Sequence, residues 1–263
     1  MICYPFATET ERRYFSLQMM LRLIVLAVWI VSLGRTQGPL RFELKRVEKK
    51  TTGCVITFEY PEIISAASPQ ARDRMNAGIL RVLLRRSDWP APDSGVRSLD
   101  AYADAFCAEF QKGPQARELY QHKLVTIFRY TPPILSFRCE AREDGGGVHP
   151  FGTTLFVNFE NSTGKTVAIT DLIKEGALAE LGSIAEAKFR RDYKLSSTES
   201  LSEKSYSFPG DRFKLNENFG IGERDLVFLF NTYEIGPGAM GETEIKIPYQ
   251  QIRNVLKPGL RLW

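Results

Sequence analysis

Two rhythms of apolar residues run through the chain. From Val47 to Tyr60 polar and apolar positions alternate, with Cys54, Ile56 and Phe58 pointing one way and Val55 and Thr57 the other. That period of two predicts a strand closed by Pro61. Ser68-Pro69 then reads as a helix N-cap followed by Pro at the first helical position, and Met75, Ile79, Val82 and Leu83 follow at helical spacing. Trp89-Pro90-Ala91-Pro92, with Asp93 and Gly95, predicts a loop. Ser98 caps a second helix whose stripe is Leu99, Tyr102, Phe106 and Phe110, closed by Gly113-Pro114.

A strand-rich stretch follows. Leu119 to Tyr130 and Ile134 to Glu143 flank Pro132-Pro133, Asp144-Gly145-Gly146-Gly147 makes a turn, and Thr153 to Glu160 is the next strand. Asn161 to Lys165 predicts another tight turn, with Thr166 to Ile169 continuing the sheet. A helical segment runs from Thr170 or Asp171 to about residue 191, broken at Gly176. Phe213 to Leu215, Asp225 to Phe230 and Glu244 to Ile247 read as strands, and Tyr249 to Leu256 as a short helix after Pro248. Strands and helices come in blocks, so the expected class is α+β, with mostly antiparallel sheets and helices packed on them.

One segment stands outside this pattern. Residues 23 to 33, Leu-Ile-Val-Leu-Ala-Val-Trp-Ile-Val-Ser-Leu, follow Arg12, Arg13 and Arg22. A membrane span wants roughly 20 apolar residues, while a signal-peptide core needs about 7–15. The run predicts an export signal over residues 1–34, cleaved after Gly34. The alternative is an uncleaved anchor with Gln18 and Arg22 in the bilayer, at a high cost. The expected location is therefore periplasmic or secreted, or else membrane-anchored on the outer side, with membrane contact only through this segment.

Composition narrows the chemistry. The 263 residues are 43% hydrophobic and 25% charged, with net charge +4, an ordinary globular balance whose scattered basic residues give no reason to expect nucleic acid. Two histidines, His122 and His149, and the absence of Cys-x-x-Cys or His-Glu-x-x-His leave no metal or cofactor to predict. No Gly-x-Ser-x-Gly elbow occurs, and Gly145-Gly146-Gly147 lacks the lysine and strand-then-helix setting of a phosphate loop. Beyond the signal stand Cys54, Cys107 and Cys139. Export would permit one disulfide, for which Cys107–Cys139 is the expected pair, the alternative being three buried thiols.

Two segments are candidates for contact with a ligand. His149 sits beside Gly146 and Gly147, with Asp144 and Glu143 near it. Tyr233-Glu234-Ile235-Gly236-Pro237-Gly238-Ala239-Met240-Gly241 links two apolar strands, and its small residues let the backbone lie close to another surface. Tyr233 and Glu234 would be displayed at its edge, with Gly236 and Pro237 beside them.

Several of these motifs also occur together in known proteins. Gly146-Gly147-Val148-His149-Pro150, Asn158-Phe159-Glu160, Thr163-Gly164-Lys165, Thr170-Asp171-Leu172, Tyr233 to Pro237 and Ile247-Pro248-Tyr249 resemble the C-terminal domain of unknown function in RsiV-type anti-sigma-factor ectodomains. Phe58-Glu59-Tyr60-Pro61 and the helix containing Asn76 are similar to the domain that precedes it in PdaC-type peptidoglycan deacetylases. The resemblance implies a PdaC-like domain over 35–144 and an RsiV-like domain over 145–263, the latter resembling a subdomain of the Hsp70-type ATPase. In RsiV-type proteins this region is a lysozyme receptor; in the deacetylases it accompanies a separate catalytic domain. The departures are Val148, Glu160 and Gly238, where the family has Ala, Asp and an aromatic. The expected function is thus a non-enzymatic binding protein of the cell envelope, its ligand a peptidoglycan fragment, another glycan or a lysozyme-like protein. The alternative is an envelope-polymer hydrolase or deacetylase using His149 with Asp144 or Glu160.

Overall fold

The computed structural model describes residues 40–86, 94–110, 119–144, 150–260 and 262. The expected signal and its cleavage site, the Trp89–Asp93 part of the proline-rich loop, Gly113-Pro114, Gly146, Gly147 and His149 lie outside these residues.

The first layer is a five-stranded sheet, ordered β1 (Arg41–Thr51), β2 (Cys54–Ser65), β3 (Leu119–Thr131), β4 (Ile134–Asp144) and β5 (Phe151–Glu160). Every neighbouring pair is antiparallel except β2–β3. A parallel pair needs a long crossover, and this one carries the two helices α1 (Pro69–Leu83) and α2 (Leu99–Phe110). Both begin where the sequence predicts: Ser68 Oγ accepts from Ala71 N at 3.1 Å and Ser98 Oγ from Ala101 N at 3.2 Å. Met75, Ile79 and Leu83 of α1 and Tyr102, Phe106 and Cys107 of α2 bury against Cys54, Ile56, Phe58, Phe137 and Phe159 of the sheet.

Three sequence expectations change. The strand read from Val47 to Tyr60 is a hairpin, turned at Thr52-Gly53 with Gly53 at φ +77. The division expected at 144/145 runs through a strand pair, because β5 pairs with β4 from Ile134–Glu160 to Glu143–Phe151. The first unit therefore continues to Glu160. The disulfide joins Cys54 to Cys107, with Cα atoms 5.8 Å apart, and Cys139 is a buried free thiol. Register explains this pairing. Cys54 lies opposite Leu119 but Cys139 opposite Val125, six residues or about 20 Å further along β3. A cysteine on α2 reaches the first of these positions and not the second.

After Glu160 a turn folds back onto α1. Ser162 and Thr163 hydroxyls donate to the two Glu160 carboxylate oxygens at 3.0 and 2.6 Å, so this carboxylate closes its own turn. Gly164 holds φ +67, and a Cβ there would stand 2.2 Å from the Ala71 carbonyl oxygen. Gly164→Ala therefore combines a left-handed backbone with a collision against backbone. We expect a loss of about 3 kcal/mol in urea unfolding, with the exposed neighbour variant Lys165→Ala within about 0.5 kcal/mol of wild type.

The second layer contains α3 (Ile169–Leu172), α4 (Leu178–Asp192) and an antiparallel sheet of β6 (Phe219–Ile221), β7 (Asp225–Phe230) and β8 (Thr243–Pro248). Gly176, at φ +74, separates the two helices as the sequence predicts. Leu181, Ala185 and Phe189 of α4 share a core with Phe228, Phe230, Ile245 and Ile247. Two expected strands are absent as such. Thr166 makes a single bridge to Phe159, and Phe213 joins an aromatic cluster, its ring 5.3 Å from Phe189 and 5.2 Å from Phe208. Tyr249 to Leu256 begins as a 3-10 turn at Tyr249–Ile252.

The two layers meet along the outer edge of β5, which is completed by asparagine side chains. Thr154 N donates to Asn231 Oδ1 at 2.6 Å, and Phe156 N to Asn218 Oδ1 at 2.9 Å. Asn218 Nδ2 returns a bond to Thr154 O at 2.8 Å. Asn158 reaches the other way, donating to Phe219 O at 2.8 Å and accepting from Ile221 N at 3.1 Å. Buried Arg129 adds bonds to Gly222 O at 2.5 Å and Leu262 O at 2.9 Å. Buried backbone groups need partners, and here side chains supply what a further strand would.

Candidate functional site

The loop from Asn231 to Gly241 lies beside the start of β5 and is built to hold one aromatic ring outward. Glu234 anchors it: one carboxylate oxygen accepts from Asn231 N at 2.7 Å and the other from Asn216 Nδ2 at 2.7 Å. Burial pushes the Glu234 carboxyl up from its ordinary range, against the opposing pull of these donors. The expectation that Glu234 is displayed at the edge is therefore replaced by an inward role, fixing the turn. Ile235 is buried, and its carbonyl accepts from Ser207 N at 2.7 Å.

Tyr233 does the opposite. It is 59% exposed and holds φ +71, a region that bulky residues rarely occupy. Its ring lies over Gly238, where a Cβ would stand 2.3 Å from Tyr233 Cζ. On another side it stacks against Phe151, with centroids 6.3 Å apart and planes 15° from parallel. Pro237 and Met240 are exposed on the same loop, and Gly236 sits against the Met240 thioether. A strained backbone, a missing side chain and an aromatic neighbour together fix this exposed ring. Phe151 is the first residue of β5, so this stack joins the loop to the first sheet.

Next to the loop is a charged cluster that periodicity did not reveal. Arg138 on β4 pairs with Glu140 at 3.0 Å and reaches Glu242 at 3.7 Å and Glu244 at 3.9 Å. Thr154 Oγ1 donates to Glu242 at 2.7 Å, Lys246 pairs with Glu244 at 2.7 Å, and the Arg138 guanidinium lies 6.0 Å from the Phe156 ring centroid. Nothing local in the sequence joins Glu242 and Glu244 to Arg138; only the packing of β8 near β4 shows that they share a cation. Among the described residues no group of three His, Cys, Asp or Glu side chains is placed to hold a metal ion. Among the same residues, no helix is long and apolar enough to cross a membrane.

Comparison with known proteins bears on the second layer most directly. Residues 170–250 match the family described as Protein of unknown function (DUF3298). A DUF3298-family protein of known crystal structure from Bacteroides fragilis is similar over 86% of this chain and 96% of its own, with a TM-score of 0.68 and 21% identity. Another, from Pseudomonas aeruginosa, is similar over 84% and 96%, with a TM-score of 0.62 and 16% identity. Curated proteins provide no match. At such identities the likeness shows shared architecture, spanning both layers. Residues 170–250 are thus a DUF3298 domain, set within a longer α+β fold that structurally characterised members of that family share.

Proposed function

We propose that the chain is an exported, non-enzymatic binding protein of the cell envelope, and that the Tyr233 ring is its principal ligand contact. The supporting observation is the geometry of Tyr233 itself: an exposed aromatic, held at positive φ, over a glycine and against Phe151. Backbone strain of this kind persists where surrounding structure enforces it, and it clusters at ligand sites. A flat, exposed ring suits the apolar face of a pyranose, and the Arg138–Glu140–Glu242–Glu244 cluster nearby offers donors and acceptors for its hydroxyls. The ligand class is therefore an envelope glycan, including peptidoglycan fragments. The RsiV-type resemblance adds a lysozyme-like protein as the competing ligand.

Titration calorimetry with N-acetylglucosamine oligomers, soluble peptidoglycan fragments and a lysozyme tests this reading. Tyr233→Gly should weaken binding about tenfold or more, the scale of losing one aromatic anchor. It should keep the wild-type melting temperature, because glycine relieves the positive φ. Unchanged affinity in Tyr233→Gly, or no binding of any of the three probes, would overturn the proposal.

A further inference from the structure

Among the described residues no strand pairs with the outer edge of β1, and the chemistry of that edge matches a second copy of itself. The two-residue turn at Thr52-Gly53 makes Thr51–Cys54 a hydrogen-bonded pair, so Lys49–Ile56, Val47–Phe58, Lys45–Tyr60 and Glu43–Glu62 are bonded as well. The far side of β2 confirms the phase. Gly53 O accepts from Leu119 N, and Ile63 N and O both bond the Asn76 side chain, at 2.8 Å each. Odd-numbered residues of β1 therefore bond β2, while Phe42, Leu44, Arg46 and Glu48 turn their N–H and C=O groups outward.

This edge also carries unusual apolar exposure. Leu44 is 80% exposed and Phe42 41%. Both line a groove of about 390 Å³ that opens where β2 and β3 part beyond the Glu59–Leu124 pair. Exposed edges are normally protected by lysine or proline. Here Lys45 is paired with Glu43 at 2.9 Å and Glu62 at 3.3 Å, and Arg46 with Glu48 at 2.9 Å and Glu59 at 3.0 Å, so the edge charges are balanced in place.

We infer that two copies of the chain associate through antiparallel pairing of β1 with β1, about a two-fold axis at Leu44, forming one ten-stranded sheet. The outward phase restricts where that axis can fall, and charge selects among the positions. An axis at Glu43, Lys45, Arg46 or Glu48 puts like charges face to face, one at Val47 sets Lys45 against Lys49 of the second copy, and one at Phe42 pairs only residues 41–43 of a strand that begins at Arg41. At Leu44 the opposed pairs are Leu44 with Leu44, Glu43 with Lys45, Phe42 with Arg46, and Arg41 with Val47. Both apolar exposures are then covered, and each glutamate at 43 meets a lysine. The Val47 end is further occupied by the Lys49–Asp104 ion pair from α2.

Sedimentation velocity of the purified chain over a concentration series should show a doubling of mass. Leu44→Lys should abolish it with an unchanged melting temperature, because this side chain is bare in the single copy. Register is read by cross-linking on a Cys3→Ser background. Leu44→Cys chains should couple to themselves, and Phe42→Cys chains should couple to Arg46→Cys chains while neither couples alone. A single-copy mass at every concentration, or coupling of Val47→Cys in place of Leu44→Cys, would overturn the inference.

Discussion

Replacing Cys54 and Cys107 together with alanine is expected to lower stability by about 4 kcal/mol. The bridge spans 53 residues, and the loop-closure entropy it removes from the unfolded chain is of that size in the chain-entropy account. The native structure gives the bridge a specific task. It fixes α2, which carries Tyr102, Ala103 and Phe106 into the first core, to the opening residue of β2. Cys139 offers the internal control. Burial pushes its thiol up to about 12, so it stays protonated and unreactive in the folded chain. Cys139→Ala should cost only about 1 kcal/mol, the scale of a small core truncation. Urea unfolding of the three variants separates these values. Peptide mapping should find the 54–107 link and a Cys139 that alkylates only after unfolding. A 107–139 link, or a Cys139→Ala loss as large as that of the double variant, would refute the assignment.

The two helices of the first layer were legible because their start signals are local: Ser68-Pro69 and Ser98 cap in the structure as they read in the sequence. β1 was not. An edge strand exposed on one face and only half-buried on the other has little alternation to show, and only Phe42, Leu44 and Val47 are apolar in its eleven residues. The alternating pattern therefore runs through the Thr52-Gly53 turn as one longer strand. β6 carries no strand signal for a related reason, since Gly220 occupies its centre, pressed against Phe156 and Phe128.

Polar residues at inward strand positions were the deeper difficulty. Lys123 follows Leu119 and Gln121 on the buried side of β3, where alternation predicts an apolar side chain. Its ammonium donates to Leu83 O and Tyr102 Oη, both at 2.8 Å, and to Arg85 O. Leu83 ends α1, so this cation answers carbonyls left over at a helix C-terminus. No local spacing announces such a partner 40 residues away. The candidate site divides similarly. Tyr233 was visible as an aromatic in a small-residue loop, whereas the inward turn of Glu234 depends on Asn216, and the Phe151 stack on the meeting of the two layers.

Asn158→Leu is expected to cost about 3–5 kcal/mol, because it nearly conserves shape while stranding three buried groups. Asn158 Oδ1 accepts from Ser136 Oγ at 2.6 Å and Ile221 N at 3.1 Å, and its Nδ2 donates to Phe219 O. A leucine leaves a hydroxyl, an amide and a carbonyl without partners at the junction between layers, where water does not reach. Asn158→Asp supplies a second, signed test. A carboxylate there retains both acceptor roles but faces the Phe219 carbonyl, and burial raises its pKa. The folded state then binds a proton more tightly than the unfolded one, so stability must rise as pH falls through the raised folded pKa toward the unfolded value near 4. The protonated form also regains a donor for Phe219 O. Urea unfolding of Asn158→Asp at pH 7 and pH 5, beside wild type at both, should show the deficit shrinking at the lower pH. A pH-independent deficit, or an Asn158→Leu variant within about 1 kcal/mol of wild type, would mean that the layers are held together by apolar packing alone.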